Sequence, residues 1–143
     1  MSAYRNYETE FKDKECLVGA LQDVGYGIVE NHNQAAILVD YHGQPRPEKA
    51  EIVVRRKYVD YSANDLGFAR QPDGTYKAII SDYDRHKHND QWLQKLKVRY
   101  NVRYAKAYAK SKGLTFVRED KIADEENKGQ FKTKMIFTTK VTS

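Results

Sequence analysis

Cysteine is almost missing from this chain, with Cys16 the single example. One thiol cannot close an intrachain disulfide, and it cannot supply the Cys-rich frameworks of structural zinc sites. Cys16 lies in an apolar helical pattern, which predicts a buried small hydrophobe rather than a reactive nucleophile. Long apolar runs are missing too. No stretch approaches the roughly 18 apolar residues of a membrane span, and Met1-Ser2-Ala3-Tyr4-Arg5 shows no apolar core of a signal sequence. We expect neither insertion nor secretion, and a place in a reducing, cytoplasmic compartment. There is no P-loop, no dinucleotide fingerprint and no nucleophile elbow, and no pair of carboxylates stands out as acid and base. The expectation is a protein that is not an enzyme and holds no cofactor.

Tyrosine is what the chain has in plenty. There are 11 Tyr against 5 Phe and 1 Trp, while the apolar fraction is only 40%. Many aromatic positions therefore keep a hydroxyl that wants water or a partner. At 143 residues the length suits a single domain, 1–143, with a thin core and an amphipathic rim.

Local patterns give the order of elements. Residues 2–9 carry a faint strand signal. Asp13 is placed to cap a helix whose Leu17, Ala20, Leu21 and Val24 share a face, and Gly25 stops it. Residues 26–30 and 35–41 read as short strands. Residues 42–47 read as a turn, because Gly43, Pro45 and Pro47 do not suit a ladder. Residues 50–59 are β-formers throughout and predict a central strand. Pro72-Asp73-Gly74 joins residues 68–70 to 75–83 as a hairpin. A long helix follows over residues 90–112, with Leu93, Leu96, Tyr100, Tyr104 and Ala107 at spacings of three or four. Gly113 ends it, and strands over 114–119 and 131–139 flank a polar loop. The fold class is α+β, a mainly antiparallel sheet with two helices packed on one face. Gly25-Tyr26-Gly27-Ile28-Val29-Glu30 and Gly113-Leu114-Thr115-Phe116-Val117-Arg118-Glu119 hint at two related helix–strand halves.

Charge is uneven. The net charge is +5, yet residues 90–112 hold seven basic residues against Asp90 alone, so that segment is +6 and the remainder −1. Lys95, Arg99, Arg103, Lys106 and Lys110 step by three or four along one stripe, with Lys97 and Lys112 beside it. The stripe suits an anionic surface, a phosphate backbone or an acidic protein, or else a solvated helix face. Arg55, Arg56 and Lys57 at a strand end could extend it. Asp82, Asp84, His86 and His88 alternate at a spacing of two, so on an extended strand all four would point one way. Their types are those of a metal site, but alternation alone fixes no coordination geometry. A strand ending in a polar loop rich in turn and capping residues is the favoured reading, so no metal is expected. Asn64-Asp65-Leu66-Gly67-Phe68 is a compact motif whose Asx residues and glycine satisfy a turn by themselves, with a ligand contact through Asp65 as the alternative. His32 and His42 are isolated and read as loop residues.

Taken together, several of these blocks resemble one family. They are Asp13 with Leu17, Ala20, Leu21 and Gly25; Ala50-Glu51-Ile52-Val53-Val54-Arg55-Arg56; Asn64-Asp65-Leu66-Gly67-Phe68; and Asp73-Gly74-Thr75-Tyr76 with Ala78-Ile79-Ile80-Ser81 and Tyr83-Asp84. The chain is similar to the hypothetical chloroplast reading frame thirty-five family, also catalogued as a domain of unknown function. Its members occur in cyanobacteria, algal plastid genomes and some phages of cyanobacteria. The similarity runs over roughly residues 11 to 104 and includes Leu93, Leu96, Arg99 and Tyr100. It implies a setting in photosynthetic lineages, in cytosol or stroma, and not a reaction. Residues 1–7, His86, His88 and the C-terminal tail depart from the family pattern, as a diverged, phage-borne member would. The function expected is a non-catalytic accessory domain that binds a protein partner, since tyrosine is enriched at interfaces. The alternative is nucleic-acid or polyanion binding through the basic helix, and the third is a small-ligand or metal-dependent enzyme.

Overall fold

Asp13 sets the first helix in place. Its carboxylate accepts the backbone N–H of Cys16 at 2.9 Å, so one of the unpaired N–H groups that open any helix is satisfied. Helix α1 then runs Lys14–Asp23, burying Cys16, Leu17, Ala20 and Leu21. Gly25 follows with φ at +118°, a conformation that costs glycine little. The structure is a computed structural model and describes residues 3–139.

Strands β1 (Tyr4–Tyr7), β2 (Glu30–Val39), β3 (Pro45–Val54), β4 (Leu66–Arg70) and β5 (Tyr76–Ser81) form one antiparallel sheet in the order β1-β5-β4-β3-β2. The hairpin of β4 and β5 turns where Pro72-Asp73-Gly74 predicts. Asp73 accepts the N–H of Thr75 at 2.9 Å, and Gly74 sits at φ +88°. One face of the sheet presents Ile52, Val54, Leu66, Phe68, Ala78 and Ile80 to α1 and to Leu96 and Tyr100 of the long helix α3, Asp90–Ser111. Each large side chain fully buried there contributes about 1.5–3 kcal/mol. The Tyr100 hydroxyl accepts the N–H groups of Lys12 and Asp13 at 3.0 and 2.9 Å, which ties α3 to the start of α1.

The opposite face is covered by the sheet's own β2–β3 hairpin. The β2–β3 pairing breaks register twice, between Asn31 and Ala36 and between Ile37 and Val39. Such bulges bend a strand pair. Leu38 is thereby brought over Gly67, and Leu38, Ala50, Val53, Ala69 and Ile79 make a second buried cluster. Gly67 is needed for this approach. A Cβ there would stand 2.8 Å from the Ala50 Cβ and 3.0 Å from Leu38 Cδ1.

Several sequence expectations are corrected. Residues 26–30 and 35–41 are not two strands, since β2 runs continuously from Glu30 to Val39. It carries His32, which bonds Glu30 at 2.7 Å and so lies on a strand rather than in a loop. Pro45 and Pro47 lie inside β3, not in a turn. Their half of β3 pairs only with β2, because β4 joins it from Ile52 onward, so one side of this segment has no ladder that needs an N–H donor. Residues 50–59 do not make one strand: β3 ends at Val54 and Arg56–Val59 is a helical turn, α2. Residues 82–86 are a 3-10 turn and not strand.

The chain divides into two compact units, one ending at Tyr100 and one beginning at Asn101. The second holds the C-terminal half of α3 and a separate two-stranded sheet, β6 (Thr115–Ala123) with β7 (Phe131–Thr138). Phe116 and Phe137 meet edge to face at 5.7 Å, and the Lys106 ammonium stands 4.0 Å from the Phe116 ring centre. The apolar stripe read along the helix shifts past Tyr100: Tyr104 and Ala107 are exposed, whereas Val102 and Ala109 are buried. The two helix–glycine–strand patterns also part company here, since the first leads into the five-stranded sheet and the second into its own hairpin.

Candidate functional site

Buried polar groups gather in one place, beneath the loops at the N-terminal end of β4. Asp65, 1% exposed, accepts the N–H of Val39 at 2.8 Å and of Arg56 at 2.7 Å, and takes the Arg55 guanidinium at 2.8 Å. Its backbone carbonyl accepts the Tyr4 hydroxyl at 2.7 Å. Asn64, equally buried, accepts the N–H of Tyr41 at 2.9 Å and donates to Ser81 Oγ at 3.1 Å. It also meets the buried Asp84 carboxylate through its backbone N–H at 3.0 Å. The motif 64–68 is therefore not a self-contained turn. It is the brace that holds the β2–β3 tip, α2 and the 3-10 turn against the sheet.

The electrostatics follow from burial. Asp84 is pushed above the usual carboxylate range by desolvation, although its hydrogen bonds from Asn64 pull the other way. Arg55 also reaches Glu30 at 2.9 Å, and that bond holds the Glu30 carboxyl below its ordinary range. His88 is buried beside Trp92, with ring centres 4.5 Å apart, and its Nε2 lies 2.5 Å from the Tyr26 hydroxyl. Burial, with Lys87, His86 and Arg85 nearby, lowers it to about 4, and burial raises Tyr26 to about 12.

What the brace presents to solvent is tyrosine. Tyr61 is 95% exposed, Tyr83 51%, Tyr58 39% and Tyr41 37%. Ser62 Oγ lies 3.3 Å from the Tyr83 hydroxyl, His86 stands edge-on to the Tyr83 ring, and His42 lies against Tyr41 at 3.9 Å. A recess of about 510 Å³ opens between Tyr41, Arg56, Lys57, Tyr61 and Ser62. Such a surface can bind, since tyrosine brings large contact area at low entropic cost.

The sequence-derived candidates are dispersed. Asp82, Asp84, His86 and His88 do not share a face: Asp82 pairs with Arg5 at 2.7 Å, Asp84 and His88 are buried, and His86 is exposed. Among the described residues no group of three or more His, Cys, Asp or Glu is placed to hold a metal ion. Of the basic stripe, Arg99 pairs with Asp23 at 3.5 Å, and the adjacent Lys97 pairs with Glu10 at 3.7 Å. Lys106 lies on Phe116 and Arg103 is exposed. Lys95 and Lys110 make no ion pair among the described residues. Arg55 is spent internally. Arg56 donates to the carbonyls of Ala63 at 3.2 Å and Tyr41 at 2.7 Å, and Lys57 is exposed. The exposed tyrosines were not singled out by the sequence. The available signal was Tyr58 and Tyr61 following directly on Arg55, Arg56 and Lys57.

A family model matches residues 20–128, a span that includes the whole brace and its tyrosine loops. The chain belongs to the family described as protein of unknown function (DUF1257). No curated protein and no solved structure matches this DUF1257 member. Among its described residues no helix is long and apolar enough to cross a membrane.

Proposed function

We propose that this DUF1257 chain is a non-catalytic accessory module that binds a protein partner through the tyrosine-bearing loops above Asn64 and Asp65. One observation carries the reading: four exposed tyrosines stand on loops pinned from below by a buried hydrogen-bonded network. Pinning lowers the ordering cost of binding, and aromatic anchors supply most of the energy of typical interfaces. The setting in the cytosol or stroma of photosynthetic lineages, including a phage-infected host, is part of the same proposal. Immobilised protein should retain one stoichiometric partner from nuclease-treated cyanobacterial lysate, and Tyr61→Ser should release it. Retention that disappears with nuclease, or is unchanged by Tyr61→Ser, contradicts the reading.

Charge supports a second reading, polyanion or nucleic-acid binding by the second unit. Residues 101–143 hold ten Lys and Arg against five Asp and Glu, whereas the first hundred residues hold fifteen of each. Tyr104, Tyr108 and Phe131 are exposed among these cations, a composition suited to stacking on single strands. Labelled oligonucleotide should then bind with an affinity that falls steeply as salt rises. Absence of binding at low salt removes this reading.

A further inference from the structure

We propose that the recess between Tyr41, Arg56, Lys57, Tyr61 and Ser62 is a subsite for a carboxylate side chain from an acidic segment of the partner. The inference rests on the protein-binding reading and adds the chemistry of what is bound.

Arg56 is fixed without being neutralised. Its Nε and Nη2 donate to the backbone carbonyls of Ala63 and Tyr41, which hold the guanidinium in place but carry no formal charge. Its backbone N–H goes to Asp65, whose carboxylate is answered by Arg55 at 2.8 Å. Lys57 lies 5.0 Å from the Tyr58 ring centre. Neither Arg56 nor Lys57 pairs with a carboxylate among the described residues. Asp60, three residues after Lys57, accepts the N–H of Tyr61 at 2.6 Å and does not line the recess.

Two uncompensated cations thus face a space walled by tyrosine rings, with Ser62 at its rim. A guanidinium already held in position loses little freedom when it accepts an anion. The protein-binding reading sets the anion, because the anionic side chains of an unmodified protein are Asp and Glu carboxylates. Beyond the bonds from Nε and Nη2, Arg56 keeps three N–H groups, two on Nη1 and one on Nη2, and the Lys57 ammonium adds its own, so the recess offers several donors to an anion. A positioned guanidinium and an ammonium together suit a carboxylate, while the tyrosine walls accommodate the aliphatic stem of a glutamate.

The test uses the full chain, labelled for amide NMR and titrated with hexaglutamate, hexaglutamine and inorganic phosphate. Hexaglutamate should move the amides of Tyr41, Arg56, Lys57, Tyr61 and Ser62, and hexaglutamine should not. Lys57→Gln, an exposed change that leaves the fold intact, should weaken the effect about 3-fold or more. Arg56→Gln should weaken it further, with folding checked from the unperturbed amides of α1. Shifts confined to residues 101–139 would overturn the proposal, as would an effect unchanged by Lys57→Gln and Arg56→Gln. Phosphate moving the same amides at lower concentration would overturn the choice of carboxylate. If wild type retains a partner that both charge variants also retain, the subsite fails and the tyrosine reading stands. A wild type that retains no partner at all sinks both.

Discussion

Asn64 and Asp84 are joined twice, both to Asp84 Oδ2: by the Asn64 backbone N–H at 3.0 Å and by its side-chain amide at 3.3 Å. Both residues are buried, so neither contact can be replaced by water without exposing the loop. This pair fixes the 3-10 turn carrying Tyr83 to the loop carrying Tyr61. Together with Asp65 it makes the exposed tyrosines a single arranged surface rather than three independent loops.

Asp65→Ala should be among the most damaging single changes in the first unit. It removes the acceptor of two backbone N–H groups and one of the two carboxylates that pair with Arg55, leaving Glu30. At about 1–3 kcal/mol for each donor left unsatisfied, we expect a loss of about 2–5 kcal/mol, read from urea unfolding. A loss below about 1 kcal/mol would mean the network is dispensable.

Gly67→Ala places a methyl group where Ala50 and Leu38 already sit. The expected cost is about 1–3 kcal/mol. Ala50→Gly in the same chain should recover part of it, because the 2.8 Å contact is then gone. A double-mutant cycle with no coupling would contradict the close approach.

Acid should destabilise the protein through His88. Its folded value is about 4 against an ordinary 6.5, so between those values the unfolded chain binds more protons. Stability is full above about pH 6.5 and falls as pH drops towards 4, by ~3 kcal/mol in all. Asp84 acts with the opposite sign. Its raised value means the folded state holds a proton more tightly, which favours the fold on acidification and offsets part of the loss. The groups around the His88 ring are Tyr26, Trp92, Arg85, His86 and Lys87, while its backbone N–H goes to the Asp84 carbonyl. Unfolding measured from pH 7 to 4 should show a steeper fall for wild type than for His88→Phe. Equal slopes would contradict the burial of a neutral imidazole.

Tyr61→Ser should leave stability within about 0.5 kcal/mol, since the side chain is 95% exposed. Partner affinity should fall by about tenfold or more, as for an aromatic anchor. Urea midpoints and a binding titration on the same samples separate the two effects. Equal losses in both would assign Tyr61 to folding.

Much of the architecture is written locally. The Asp13 cap, the Pro72-Asp73-Gly74 turn and the span of α3 depend on neighbours within a few residues, and each appears where the pattern places it, although the buried stripe of α3 follows the pattern only as far as Tyr100. The strand boundaries that fail depend on distant partners. Tyr58 and Val59 are β-formers, yet Asp65 captures the N–H of Arg56 and turns the chain into α2. Pro45 and Pro47 look incompatible with a ladder until β4 is seen to stop short of them. The brace itself was visible as a motif, but its role was not. Asn64 and Asp65 can satisfy a local turn, and nothing in sequence shows that they reach Val39, Tyr41, Ser81 and Asp84 instead. Tyrosine excess was legible as composition; its clustering above this brace required the fold.

Photo-crosslinking is the most direct measurement of whether that surface is where a partner sits. A benzophenone amino acid at position 61 samples the tyrosine loops, and one at position 73 samples the β4–β5 turn at the other end of β4. In cells, position 61 should give one adduct of defined mass that position 73 does not give. Adducts of equal yield from both positions, or none from position 61, would contradict the assignment.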